Sequence, residues 1–105
     1  MLEKGKPSER VGRPDFVAAR YNLGNAYADA GRLEEAIEQY RTVVRLQPDN
    51  AFYRNVLGIK YGQKGSYDEA ISQFEAAVRL APGEPAFRRN LERAQELLKR
   101  RRARG

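Results

Sequence analysis

The chain has 105 residues, enough for one domain whose core must be efficient or shared with a neighbour. With 41% hydrophobic and 32% charged residues it is neither a disordered nor a membrane-inserted composition, and no apolar run approaches the about 20 residues that cross a bilayer. Cysteine and histidine are both absent, which excludes disulfides, thiol nucleophiles, Cys or His metal sites and imidazole acid–base chemistry; the net charge of +6 is carried by residues 85–105, where eight Lys or Arg face two Asp or Glu.

Residues 1–15 carry charges and two prolines and are read as a flexible N-terminal segment. No apolar stretch follows the charges of Met1–Pro14, so this is not a secretory signal, and a cytoplasmic location is the default expectation. From Val17 onward the chain repeats itself. Residues 17–50 laid over 51–84, at a spacing of 34, give thirteen identities, among them Leu23/Leu57, Gly24/Gly58, Tyr27/Tyr61, Gly31/Gly65, Ala36/Ala70, Gln39/Gln73 and Pro48/Pro82. Duplication of one structural unit accounts for this.

Each unit reads as two helices. In the first, Ala19, Leu23, Ala26, Tyr27 and Ala30 form a stripe at three- and four-residue spacing that stops at Gly31. Leu33, Ala36, Ile37, Tyr40, Val43 and Val44 mark its partner, which must end before Pro48 because proline has no amide hydrogen. Asp49 or Asn50 can cap the next helix, where Tyr53, Leu57 and Tyr61 repeat the stripe as far as Gly65. Ser66 and Glu69 have capping-box spacing, so the fourth helix should begin near Tyr67 and run through Ala70, Ile71, Phe74, Ala77 and Val78 to a stop before Pro82. Gly24 and Gly58 lie inside helices at a cost of about 1 kcal/mol each relative to alanine. Close helix contact opposite Ala36 and Ala70 is the expected compensation.

A third unit begins at Pro85 and is not completed. Phe87, Leu91, Ala94 and Leu98 make an apolar stripe, while Glu92 and Gln95 stand where the repeat has glycine and tyrosine, so residues 85–98 are expected to form a capping helix. Residues 99–105 are read as a basic tail, with five cations among six residues from Lys99 to Arg104. The predicted architecture is thus all-α, five helices, with a domain over residues 16–98.

Leu23, Gly24, Tyr27, Ala36, Tyr40 and Pro48, with Leu57, Gly58, Tyr61, Ala70, Phe74 and Pro82, resemble the tetratricopeptide pattern W-x2-L-G-x2-Y, A-x3-F, P at its 34-residue period. The opening tryptophan is replaced by Arg20 and Arg54. The resemblance implies antiparallel helix-turn-helix repeats stacked as a right-handed superhelix whose concave face binds peptides or partner helices. Such repeats usually need about three units; here two and a cap either suffice, or stack on a second copy, or were cut from a longer array.

By helical spacing, the face of each first helix turned from its partner should line that groove. It comprises Tyr21, Asn22, Asn25 and Asp29, then Phe52, Asn55, Ile59 and Gln63, then Arg89, Asn90 and Arg93. Tyr21, Phe52 and Ile59 offer apolar surface, the asparagines offer donors and acceptors to an extended backbone, and Arg89 or Arg93 offers a partner to an acidic residue or terminal carboxylate. The family's generic repeat also carries asparagine at the positions of Asn22 and Asn25, so inheritance and ligand contact both account for them. Tyr27 and Tyr61 are expected to be structural. The two-carboxylate clamp of the chaperone-binding subset would place Tyr21, Phe52 and Val56 where polar or basic groups are needed, so binding to chaperone tails is not expected.

No nucleophile with a base, phosphate-cradling glycine loop or metal cluster is present, and neither catalysis nor a cofactor or metal is expected. The function read from the sequence is an adaptor that binds a protein or peptide partner in its groove, with an acidic partner among the options. The alternatives are a self-associating scaffold that stacks end to end around Phe16 and Val17 and, less favoured, a nucleic-acid accessory acting through the basic tail. No aromatics interleave with the tail arginines to stack bases.

Overall fold

The structure is a computed structural model that describes the backbone of residues 14–105 and the side chains from residue 16. Five α-helices follow one another in it: α1 (Pro14–Asp29), α2 (Leu33–Leu46), α3 (Ala51–Lys64), α4 (Tyr67–Leu80) and α5 (Pro85–Arg104). All but the last two residues of the expected flexible segment lie outside the described region; Pro14 and Asp15 already belong to α1.

The turns follow from glycine and proline. Gly31 and Gly65 adopt φ of 78° and 88°, left-handed values that a side chain would resist. In both units the next residue closes the helix end on the same carbonyl: Arg32 N–H donates to Tyr27 O and Ser66 N–H to Tyr61 O, each at 2.9 Å. The second helix of each unit ends at Leu46 or Leu80, two residues before its proline. Asn50 caps α3, its side-chain oxygen accepting from the Tyr53 N–H at 3.0 Å. The capping box expected at Ser66 does not form although α4 begins at Tyr67. With φ −86° and ψ 72°, Ser66 departs from the extended geometry that aims its hydroxyl at the first turn.

Consecutive helices pack in order, α1 on α2, α2 on α3, α3 on α4 and α4 on α5, with α3 also touching α5. Two clusters make the core. Ala36, Ile37, Tyr40, Val44 and Leu57 form the first, and Ala70, Phe74 and Ala94 the second; Tyr61 packs against both, and Tyr27 against the first, which gives the two tyrosines their structural role. Arginine in place of the family's tryptophan is used the same way twice. Arg20 Nη1 donates to Gln39 Oε1 at 2.9 Å and Arg54 Nη1 to Gln73 Oε1 at 3.2 Å, so each unit ties its two helices with one Arg–Gln pair.

The helical glycines are spent differently from the expectation. A Cβ on Gly24 would stand 2.7 Å from Tyr40 Cε1, and one on Gly58 would stand 2.6 Å from Phe74 Cε1. The missing side chain makes room for an aromatic ring of the partner helix rather than for Ala36 or Ala70. The sequence carries this in a constant offset: 16 residues separate glycine from ring in both units.

Helix α5 continues six residues past the expected end at Leu98. Arg101 Nη1 donates to the Gly65 carbonyl at 2.7 Å and its guanidinium lies 4.4 Å from the centre of the Tyr67 ring, while Arg102 pairs with Asp68 at 3.6 Å. Cations in the last turn also complement the helix dipole. The basic stretch is therefore helical and lies over the α3–α4 turn and the start of α4. Arg101→Ala should lower the unfolding free energy by about 1 kcal/mol, the sum of a weak cation–π contact and a solvent-exposed hydrogen bond. A urea midpoint unchanged by the substitution would show that these contacts carry no stability.

Candidate binding groove

The first helices of the units, α1, α3 and α5, line one side of the array, and two depressions lie between them. The first, of about 410 Å³, is bounded by Tyr21, Asn25, Ala28 and Asp29 of α1, Tyr40 of α2, and Val56, Ile59 and Lys60 of α3. The second, of about 300 Å³, is bounded by Ile59, Gly62 and Gln63 of α3, Tyr67 and Phe74 of α4, and Asn90, Arg93, Ala94 and Leu97 of α5. Ile59 borders both, so the two depressions adjoin, and together they make up the trough.

The nested rings reach this trough. Tyr40 and Phe74 occupy equivalent positions in the two units, each lies over a glycine, and each contributes to one depression. Gly24 and Gly58 thus place second-helix aromatics in a surface built mostly by first helices, to which α4 also adds Tyr67. The Tyr40 hydroxyl donates to Asn25 Oδ1. Burial is the main cause that pushes the Tyr40 pKa up to about 12, with the charges of Tyr21 and Asp29 acting the same way. At neutral pH the hydroxyl is a donor, and the bond keeps the Asn25 side chain in place beside the depression.

An aromatic cluster closes one end. The Tyr21 ring centre lies 5.8 Å from Tyr40, 6.0 Å from Phe52 and 5.4 Å from Tyr53, tilted in each case. Phe52 nevertheless remains 51% exposed and Ile59 36% exposed, two large apolar side chains offered to solvent on the same side. At the other end, Arg93 is the charged member of the second depression.

The residues expected to line the groove divide by position. Tyr21, Asn25, Asp29, Ile59, Gln63, Asn90 and Arg93 border one depression or the other. Phe52 sits beside the first on Tyr21, whereas Asn22 and Arg89 are exposed but border neither. Asn55 is buried, its Oδ1 accepting from Asn90 Nδ2 at 2.8 Å. It ties α3 to α5 instead of presenting its amide to a guest. Tyr40, Val56, Lys60, Phe74 and Leu97 border the trough without having been expected there.

A family model described as TPR repeat matches residues 24–65, and one described as tetratricopeptide repeat matches residues 55–101. The chain belongs to the tetratricopeptide-repeat family. Its fold is the αα-superhelix of that family, a protein–protein interaction module on a scaffold that is typically non-catalytic. Among solved structures, a MamA mutant is similar at 28% identity with a TM-score of 0.75, over 89% of this chain and 68% of that one. A second MamA mutant is 30% identical with a TM-score of 0.73, over 83% of this chain and 48% of that one. The second TPR of Spaghetti (RPAP3), bound to the HSP90 peptide SRMEEVD, is 21% identical with a TM-score of 0.73, over 80% and 78%, a likeness of fold. No curated protein sequence matches the chain. Among the described residues, no helix is long and apolar enough to cross a membrane.

Proposed function

We propose that the chain is an adaptor that holds a segment of a partner polypeptide in the trough between α1, α3 and α5. The observation that carries this reading is the exposure of Phe52 and Ile59 beside two linked depressions, an apolar surface that costs free energy until something covers it. Asn25, Gln63 and Asn90 along the same trough provide hydrogen-bonding groups for a guest backbone. The peptide held by the second TPR of Spaghetti supports the choice of a peptide as guest class. A cytoplasmic location accords with a cysteine-free chain.

End-to-end self-association has less to support it. Val17, expected at the stacking surface, is only 1% exposed, which leaves Leu23 as the exposed large apolar side chain of α1, and the outward side of α5 presents the exposed polar residues Arg88, Glu92, Gln95 and Lys99 to any second copy.

Ile59→Asp tests the adaptor reading. Placing a charge where both depressions meet is expected to remove partner capture from native lysate, while helix content and melting temperature stay near those of the parent because the site is already exposed. Ser72→Asp, on the exposed outer side of α4, is the control. Capture unaffected by Ile59→Asp, or lost equally with Ser72→Asp, would place the binding surface elsewhere.

A further inference from the structure

We infer that the guest is an acidic segment with one apolar side chain: the apolar group enters the depression between α3 and α5, and carboxylates meet an arginine stripe along α5. This rests on the groove reading above and specifies its partner.

The depression has an apolar lining in Ile59, Phe74, Ala94 and Leu97, and its charged member is Arg93. From that arginine the stripe follows by helical phase. Arg93, Leu97, Arg100 and Arg104 are separated by four, three and four residues, and so share one face of a helix that runs unbroken to Arg104. The continuation of α5 makes this possible; a tail ending at Leu98 would leave Arg100 and Arg104 in no fixed relation to the groove. Arg101 and Arg102, tied to the α3–α4 turn, hold the helix in place.

Arg100 is engaged by Glu96 at 3.1 Å, whereas Arg93 and Arg104 have no acidic partner among the described residues. Their backbones are about 16 Å apart along the helix, the span of about five residues of extended chain. Guanidinium groups take carboxylates in a two-pronged geometry, so an extended acidic segment can reach both. The helix's own C-terminal dipole opposes such a guest by about half a charge, against five cations in its last six structured residues. Complementarity thus favours carboxylates at this end, while Asp29 and Lys60 balance each other at the other depression. Nucleic acid fits less well: of the aromatics bordering this depression, Phe74 is buried and Tyr67 already carries Arg101 on its ring.

Two pools of short labelled peptides, read by fluorescence anisotropy with the full chain, test the inference. Both fix a central leucine; one flanks it with Glu, Asp, Gly and Ser, the other replaces the acids by Gln and Asn. The acidic pool should bind about tenfold more tightly at low salt, and the Arg93→Gln/Arg104→Gln double variant should erase that preference. Arg88→Gln/Lys99→Gln, the same charge loss on the outward side, should leave it within about twofold. Equal binding of the two pools, still abolished by Ile59→Asp, would overturn the acidic partner and keep the groove. Binding insensitive to Ile59→Asp would overturn both. A single-stranded RNA oligonucleotide retained through Arg93 and Arg104, with no acidic peptide bound, would overturn the inference in favour of nucleic acid.

Discussion

Leu57→Ala is expected to lower the unfolding free energy by about 2–5 kcal/mol, while the same truncation at Leu23, its counterpart 34 residues earlier, should cost under about 1 kcal/mol. The two leucines have the same place in the repeat and opposite surroundings. Leu57 is 2% exposed, packed among Ala36, Ile37, Tyr40 and Val44 of the preceding helix; Leu23 is 40% exposed, and no described element lies on the far side of α1. Burying a leucine side chain contributes about 1.5–3 kcal/mol, and the unfilled cavity adds to the loss. Against the usual 5–15 kcal/mol of a whole domain, the Leu57 variant gives up a large fraction. Denaturant unfolding of both variants checks the contrast. Equal losses would mean that Leu23 is covered in solution and that the stack has another layer.

Gly58→Ala should also destabilise, by a net of about 1–3 kcal/mol, although alanine is the better helix former by about 1 kcal/mol. The new Cβ would lie 2.6 Å from Phe74 Cε1 and 2.8 Å from its Cδ1. Phe74 is buried against Ala70 and Ala94, so its ring cannot swing aside without disturbing the second core cluster. The melting temperature should fall by about 5–15 °C, and a smaller residue at position 74 should restore part of it. Gly62 is the internal control. A Cβ there meets nothing within 4 Å, so Gly62→Ala should leave stability unchanged or raise it by up to about 1 kcal/mol. Were Gly58→Ala to match Gly62→Ala, the nesting of ring on glycine would be wrong. The same variant displaces a side chain that borders the second depression, so peptide affinity should fall with stability.

Much of the fold was legible because duplication supplies its own alignment. Glycines with no tolerance for a side chain and prolines with no donor mark the ends, and the helix boundaries near Gly31, Gly65, Pro48 and Pro82 follow from backbone chemistry alone. What failed to show were relations between helices. Either a small residue or an aromatic ring edge can fill the space that Gly24 leaves, and the choice between them depends on the offset of two antiparallel helices. The pairing of Asn55 with Asn90 was hidden for a related reason. These residues are 35 apart, one position off the 34-residue register, so sliding the sequence on itself does not align them. The continuation of α5 was hidden by charge. A run of cations looks like a solvated tail until Gly65, Tyr67 and Asp68 are brought beneath it.

Of the groove, Tyr21, Asn25, Asp29, Ile59, Gln63, Asn90 and Arg93 follow from helical phase, whereas Val56, Lys60 and Leu97 of the same first helices do not and Asn55 is buried. Nor do Tyr40 and Phe74, since their own helix marks them as core. They are both: buried in the stack, and present at the trough where the facing glycine opens the way.

A photo-crosslinking amino acid placed at Ile59, and separately at Ser72, tests the central claim most directly when the chain is irradiated in native lysate. Ile59 lies where the two depressions join and Ser72 is exposed on α4 outside them. A discrete adduct of one partner polypeptide at position 59, with none at 72, is the predicted result. Adducts at 72 with none at 59 would contradict it, and would move the guest to the opposite wall of the array.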